Sequence, residues 1–216
     1  AQAATSMNDL TQALQQARAQ DGAPTTVLIL PGWQGSGPDH WQMQWAHAHG
    51  YTVVEQNDWL HPRRGDWLAR LDEVVIDAPG PVVLAAHSLG CILVAAWASL
   101  SRHTARVRGA LLVAPGDVEA PEWADRLPGW APIVRQPLPF KSILVGSQND
   151  PYCRADRAQA LAQDWGAEWL NFGSAGTGPG AANALVSGPQ LAAAPTAERQ
   201  GEPLPGRRDV DGNVLA

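Results

Sequence analysis

Residues 82–98 constrain the fold more than any other stretch. Val82-Val83-Leu84-Ala85 is a short apolar run, Ala86-His87-Ser88-Leu89-Gly90 is a small-x-Ser-x-small turn, and Cys91-Ile92-Leu93-Val94-Ala95-Ala96-Trp97-Ala98 is apolar all round. An apolar run of strand length reads as a strand buried on both faces, and a helix with no polar face must be buried too. A buried strand passing straight into a buried helix is a βα unit, which needs a parallel sheet covered by helices. The turn between them must be sharp. Two positions before Ser88 and two after it admit only small side chains, and Ala86 and Gly90 meet that demand. Such a turn strains the serine backbone, lifts its hydroxyl clear of the sheet and aims the helix N-terminus at whatever reacts there. The plainer alternative is a buried turn that happens to contain serine.

The rest of the chain repeats the βα pattern. Strands are expected at 25–30, 51–55, 81–86, 109–114, 140–146 and 168–172, and helices near 40–49, 66–77, 89–101 and 154–165. The fold class is therefore α/β, a mostly parallel sheet of about six strands flanked by helices. Residues 6–19 read as an amphipathic helix, with Ser6 as N-cap. Residues 115–139, rich in Pro, Trp and charge, read as a loop excursion over the sheet. Three divisions follow: an N-terminal helix or extension at 1–24, one domain at 25–176, and an irregular tail at 177–216, where Gly, Pro and Ala dominate and no periodicity persists. Met7 is a candidate start, with residues 1–6 an upstream extension, a tag remnant or a processed end.

Composition excludes more than it selects. A net charge of −6 speaks against a nucleic-acid partner, which needs a basic face. No apolar run reaches the length of about 18 residues that a membrane span needs. Two cysteines, Cys91 and Cys153, are too few for a disulfide scaffold and point to a reducing, cytoplasmic compartment. Both read as small buried hydrophobes. No pair of His or Cys has metal-ligand spacing, so neither metal nor cofactor is expected. Oligomeric state leaves no sequence signal.

Ligands of parallel sheets sit at the carboxyl ends of the strands, and the loops 31–38, 86–90 and 147–153 leave from those ends. A serine nucleophile needs a base, an orienting acid and donors for the developing oxyanion. Asp150 follows the strand 140–146 and comes after Ser88 in the chain. Asn149 and Pro151 beside it also suit a plain turn-forming Asp. Leu89 supplies the backbone N–H after the serine. Trp33, with Gln34 next, supplies the second from the loop 31–38, unless that loop is only a glycine-rich connector. Gln34, His87 and Trp41 are expected to line the substrate site.

Together, Pro31-Gly32-Trp33-Gln34-Gly35-Ser36, Asp39-His40-Trp41, Ala86-His87-Ser88-Leu89-Gly90-Cys91, Leu112-Val113-Ala114-Pro115 and Asn149-Asp150-Pro151-Tyr152-Cys153 resemble one α/β-hydrolase subfamily. It is the small serine hydrolases similar to retinoblastoma-binding protein nine and its bacterial relatives, and the resemblance covers roughly residues 25–176. It implies a lidless hydrolase with a Ser–Asp–His triad, in which Ser88 and Asp150 carry over. The family's histidine follows the last strand, in a stretch like Gly-x-Ala-Gly-His-Ile-Asn. Here Gly173-Ser174-Ala175-Gly176 matches, but Thr177 stands in the histidine's place and no histidine occurs after His103. Were Gly176 encoded GGC and Thr177 ACN, a frame starting at the third base would read CAC, histidine; codons that forbid this exclude a shifted frame.

His40, at the carboxyl edge of the sheet, is the candidate substitute base. His87 adjoins Ser88, so its side chain should point elsewhere. His47, His49, His61 and His103 fall in helical or surface segments. Two functions follow as expectations. One is a serine hydrolase acting on small acyl substrates through an acyl-enzyme, weakened by loss of the usual histidine. The other is a non-catalytic hydrolase-like binding protein. The expected partner of either is a small acyl molecule.

Overall fold

The structure, a computed structural model, describes residues 24–173. The expected helix at 6–19, the tail and Thr177 lie outside the described residues. In chain order the elements are β1 (Thr26–Leu30), α1 (Trp41–His49), β2 (Thr52–Val53), α2 (Arg64–Asp77), β3 (Val82–His87), α3 (Leu89–Leu100), β4 (Val107–Val113), α4 (Pro121–Ala124), β5 (Ser142–Gly146), α5 (Ala155–Trp165) and β6 (Glu168–Asn171). The strands form one parallel sheet in the order β2-β1-β3-β4-β5-β6.

That order places the helices. From β1 the chain steps outward to β2, then returns past β1 to β3 and continues the other way. Crossovers between parallel strands are right-handed, so reversing the direction of travel reverses the face. Trp41 and Trp45 of α1 accordingly pack with Leu111, Val113 and Val145 on one face. Trp67 and Leu71 of α2, Ile92 and Leu93 of α3, and Leu161 and Trp165 of α5 share a core with Leu28, Leu84 and Leu112 on the other. The central strands are apolar without alternation because both faces are covered. The reversal lies between β1 and β3, and an open parallel sheet places its ligand cleft at such a point, so the loop after β1 is the cleft loop.

Two expectations are adjusted. The strand expected over 51–55 is only Thr52–Val53. Gly50 ends α1 in the left-handed conformation at φ 67°, and Tyr51 N–H still donates to Ala46 O, so one end belongs to the helix cap. At the other end the strand lies on the sheet edge, with β1 alone to pair with. The excursion at 115–139 carries the short helix α4 and its own core anchors, Val118, Leu127, Trp130 and Ile133. Trp130 Nε1 donates to Pro62 O at 2.9 Å. Arg157 of α5 grips Asp117 with two hydrogen bonds of 2.8 and 2.9 Å and also donates to Glu119. That bidentate pairing raises the guanidinium pKa further.

Candidate active site

Ser88 joins β3 to α3 with φ 53° and ψ −118°. Positive φ is costly for a residue with a Cβ, roughly 1–3 kcal/mol. Among the described residues, three non-glycine positions adopt it: Gln34 at 66°, Ser88 at 53° and Ala114 at 50°. All three stand at or just beyond the carboxyl ends of strands, β1, β3 and β4. Strain gathered at one edge of a sheet marks a site where the backbone is held for a purpose.

The small residues around Ser88 are required by contact. A Cβ on Gly90 would stand 2.5 Å from Leu30 O, so α3 can start here only if its second residue is glycine. A Cβ on Gly32 would stand 2.9 Å from Ser88 Cβ and 3.3 Å from Leu89 N. A Cβ on Gly116 would lie 3.3 Å from Ser88 Oγ. Thus the loop after β1 and the loop after β4 close on the serine from two sides. Ala86 is fully buried.

The backbone N–H groups of Leu89 and Trp33 belong to the two segments that meet at the serine. Leu89 opens α3, and a first-turn N–H has no intrahelical acceptor. In the loop after β1, Gly35 N–H donates to Gly32 O and Gln34 N–H donates to Trp59 O, which closes a tight turn around Trp33. The Gln34 amide is therefore committed elsewhere. Trp33 N–H directly follows Gly32, the residue that touches Ser88. The Trp33 ring leans outward, donating from Nε1 to Leu60 O at 2.9 Å and meeting Trp123 edge-on at 6.0 Å. Trp123 in turn meets Tyr152 at 5.4 Å, so an aromatic row links the loop after β1, α4 and the loop after β5.

Asp150 lies in the loop after β5, and its Oδ1 accepts from Tyr152 N–H at 2.8 Å. The turn-forming geometry and the position at the carboxyl edge thus occur together. Tyr152 O accepts from Asp117 N–H at 3.2 Å, which ties this loop to Gly116. Asp150 also acts electrostatically on Cys91, in the first turn of α3. Both cysteines are buried and free. Burial raises both thiols, Cys153 to about 12, which holds them neutral and unreactive.

The histidines are sorted by position. His87 ends β3 on the face opposite Ala86 and meets the rings of His40 at 4.7 Å and Trp41 at 6.3 Å. Burial, with His40 adding, lowers His87 to about 3, so it stays neutral and is no base at neutral pH. His40 is the N-cap of α1, its Nδ1 accepting from Gln42 N–H at 3.2 Å. With Nδ1 accepting, the neutral ring carries its hydrogen on Nε2. His47, His49 and His61 are exposed, and His103 lies at the amino end of β4, across the sheet. Trp41 corrects an expectation. It is fully buried, packed on Trp45 at 4.9 Å, and cannot touch a substrate.

Gly116 and Gln42 escaped the sequence reading. Gly116 leaves a weak signal, a glycine two residues past an apolar strand. Gln42 leaves one only in hindsight, as a polar residue on the buried side of α1.

Residues 27–177 match the model of the serine hydrolase family. The chain is similar to a YdeN-like hydrolase from Pectobacterium atrosepticum, at 25% identity and a TM-score of 0.63, over 78% of this chain and 85% of that one. It is similar at 26% identity to a hydrolase of the alpha/beta superfamily from Xanthomonas campestris, with a TM-score of 0.51 over 76% and 96% of the two chains. The ydeN gene product of B. subtilis shares the fold at 20% identity and a TM-score of 0.56, over 71% and 87%. No curated protein matches the sequence significantly. Among the described residues, no helix is long and apolar enough to cross a membrane.

Proposed function

The chain belongs to the serine hydrolase family, and we propose that it cleaves carboxylic esters of small acyl groups through an acyl-enzyme on Ser88. The observation that supports this best is the Ser88 backbone, strained at φ 53° at the N-terminus of a buried helix with glycines pressed against it on two sides. Ser88 Oγ would attack the ester carbonyl and lose its proton to a base. The Leu89 and Trp33 amides would hold the oxyanion. The C–O bond to the alcohol then breaks, the alcohol takes up the proton, and water releases the acid from Ser88.

The base limits the rate. Of the six histidines, His40 and His87 stand at the carboxyl edge of the sheet, and burial keeps His87 neutral, so His40 is the candidate. To accept a proton at Nε2 its hydrogen must move to Nδ1, and α1 then loses its cap. Turnover is accordingly slow, carried mostly by the oxyanion donors. In a protease triad the residual rate left without one member is about 10³–10⁴-fold over water. The second reading, a hydrolase-like protein that binds without turnover, is favoured by Thr177 and by the capping role of His40.

A fluorophosphonate probe tests the two. Its phosphorus forms a bond to an activated Ser88 Oγ and fluoride leaves. An adduct on Ser88, absent in Ser88→Ala, together with turnover of a short p-nitrophenyl ester, supports the hydrolase. A folded chain that gives neither supports the binding protein. Loss of turnover in His40→Asn, which keeps a capping side chain on α1, with Tm preserved identifies the base.

A further inference from the structure

Gln42 is the one long polar side chain among the buried residues described; the others are Ser142 and Ser147. It sits in the first turn of α1 and is fully buried, 0% exposed. Its Nε2 donates to Leu30 O at 2.9 Å and to Ala85 O at 3.0 Å. Its Oε1 accepts from Ser36 Oγ at 2.9 Å. Each of these partners has a place in the site. Leu30 is the last residue of β1, where the cleft loop begins. Ala85 is three residues before Ser88 on β3. Ser36 lies in the cleft loop beyond Trp33.

We propose that Gln42 is a positioning residue for ester cleavage, holding the Trp33 amide against the serine turn by fastening both ends of the loop to β3. The inference rests on the hydrolase reading of Ser88. Its physical basis is the departure of β1 from the sheet. Where two parallel strands separate, carbonyls that would have met ladder donors are left at the edge, and a buried carbonyl needs a donor. Gln42 brings two N–H groups on one rigid amide plane to the two carbonyls at that point, one on each strand. A carboxamide is the uncharged group that can give two hydrogens and still accept a third bond. Glutamate would turn acceptors toward carbonyls. Methionine would fill the space and bond nothing. The third bond, from Ser36, carries the constraint around the turn, so Trp33 N–H is held between two fixed points. An oxyanion donor works only if it is in place before charge develops.

Gln42→Met and Ser36→Ala test this against the wild-type protein. The measurements are kcat and KM for a short p-nitrophenyl ester, per site titrated by fluorophosphonate, and amide exchange of the 31–38 segment. Mispositioning of about 1 Å costs on the order of 10²-fold. Gln42→Met is expected to lower kcat about 10- to 100-fold at little changed KM, and to speed exchange in 31–38. Ser36→Ala, which keeps both carbonyl bonds, is expected to do the same to a smaller degree. A structural role alone would lower Tm or the titrated fraction and leave kcat per site unchanged, and that result overturns the proposal. Should Gln42→Met fail to fold, Ser36→Ala decides by the same criteria. A wild-type chain that neither labels nor turns over defeats the hydrolase reading itself; unchanged exchange in 31–38 then removes the Gln42 tether as well.

Discussion

Gly32→Ala probes the contact between the cleft loop and Ser88 most directly. A Cβ added there would stand 2.9 Å from Ser88 Cβ, 3.1 Å from His87 O and 3.3 Å from Leu89 N. Carbon atoms rest comfortably at about 3.5–4.0 Å, so the loop must retreat by roughly 0.6–1 Å. Two of the three atoms it meets are backbone, and the third hangs on a strained residue, so the serine turn cannot give way. The loop is tied to Trp59 and Gln42 and cannot simply hinge. The Trp33 amide therefore moves away from the oxyanion position. A displacement of that size costs on the order of 10²-fold in kcat, and complete loss of the donor about 10²–10³-fold. Overpacking adds about 1–3 kcal/mol of destabilisation, and for a domain of this size each kcal/mol lowers Tm by roughly 2–4 °C. The assay is the rate of fluorophosphonate labelling and of ester turnover, beside a thermal melt. Gly65→Ala is the control, because nothing lies within 4 Å of its added Cβ and it sits in the first turn of α2. It should melt no lower than wild type. Wild-type rates and Tm in Gly32→Ala would show that the loop does not press on the serine, and the argument for the Trp33 donor would fail.

Two further outcomes follow from the same geometry. Ser88→Gly should be more stable than Ser88→Ala by about 1 kcal/mol or more in urea unfolding, since glycine accepts φ 53° without strain; equal stabilities would mean the turn stores none. His87 has its folded pKa lowered from 6.5 to about 3, so the unfolded chain binds the proton first as pH falls. Its contribution to stability is intact above pH 6.5 and lost progressively from there down to about 3, with a slope of at most about 1.4 kcal/mol per pH unit. His87→Gln should flatten the acid limb of the stability profile, and an unchanged limb would show that His87 is hydrated and titrates normally.

Much of this was legible in the residues. The βα alternation, the parallel sheet and the serine turn were readable because each depends on local pattern: apolar runs bounded by glycine and proline, and small residues at fixed spacing. That Leu89, Trp33 and Asp150 stand at one edge of the sheet could be foreseen because loops of a parallel sheet leave from known ends. The roles of Trp41 and Gln42 could not. They are neighbours on one helix, one expected to meet substrate and the other passed over, and the structure buries both. Which side of α1 faces the sheet depends on the right-handed crossover from β1 to β2, a property of the assembled sheet. Nor could local pattern show that His40 would spend its Nδ1 lone pair capping α1.

What the sequence by itself determined is the class of architecture and the turn that holds Ser88, because short-range sterics and hydrophobic periodicity are written in neighbouring residues. The tertiary structure alone decided how the site is held: Gly32 and Gly116 against the serine, Gln42 joining two strand ends, Arg157 gripping the excursion at Asp117. Those contacts link residues from 12 to 56 positions apart, as in Leu30 to Gln42 and Gly32 to Ser88. They exist because burying a carbonyl or closing a sheet edge requires a partner, and only the folded chain determines which residue arrives to supply it.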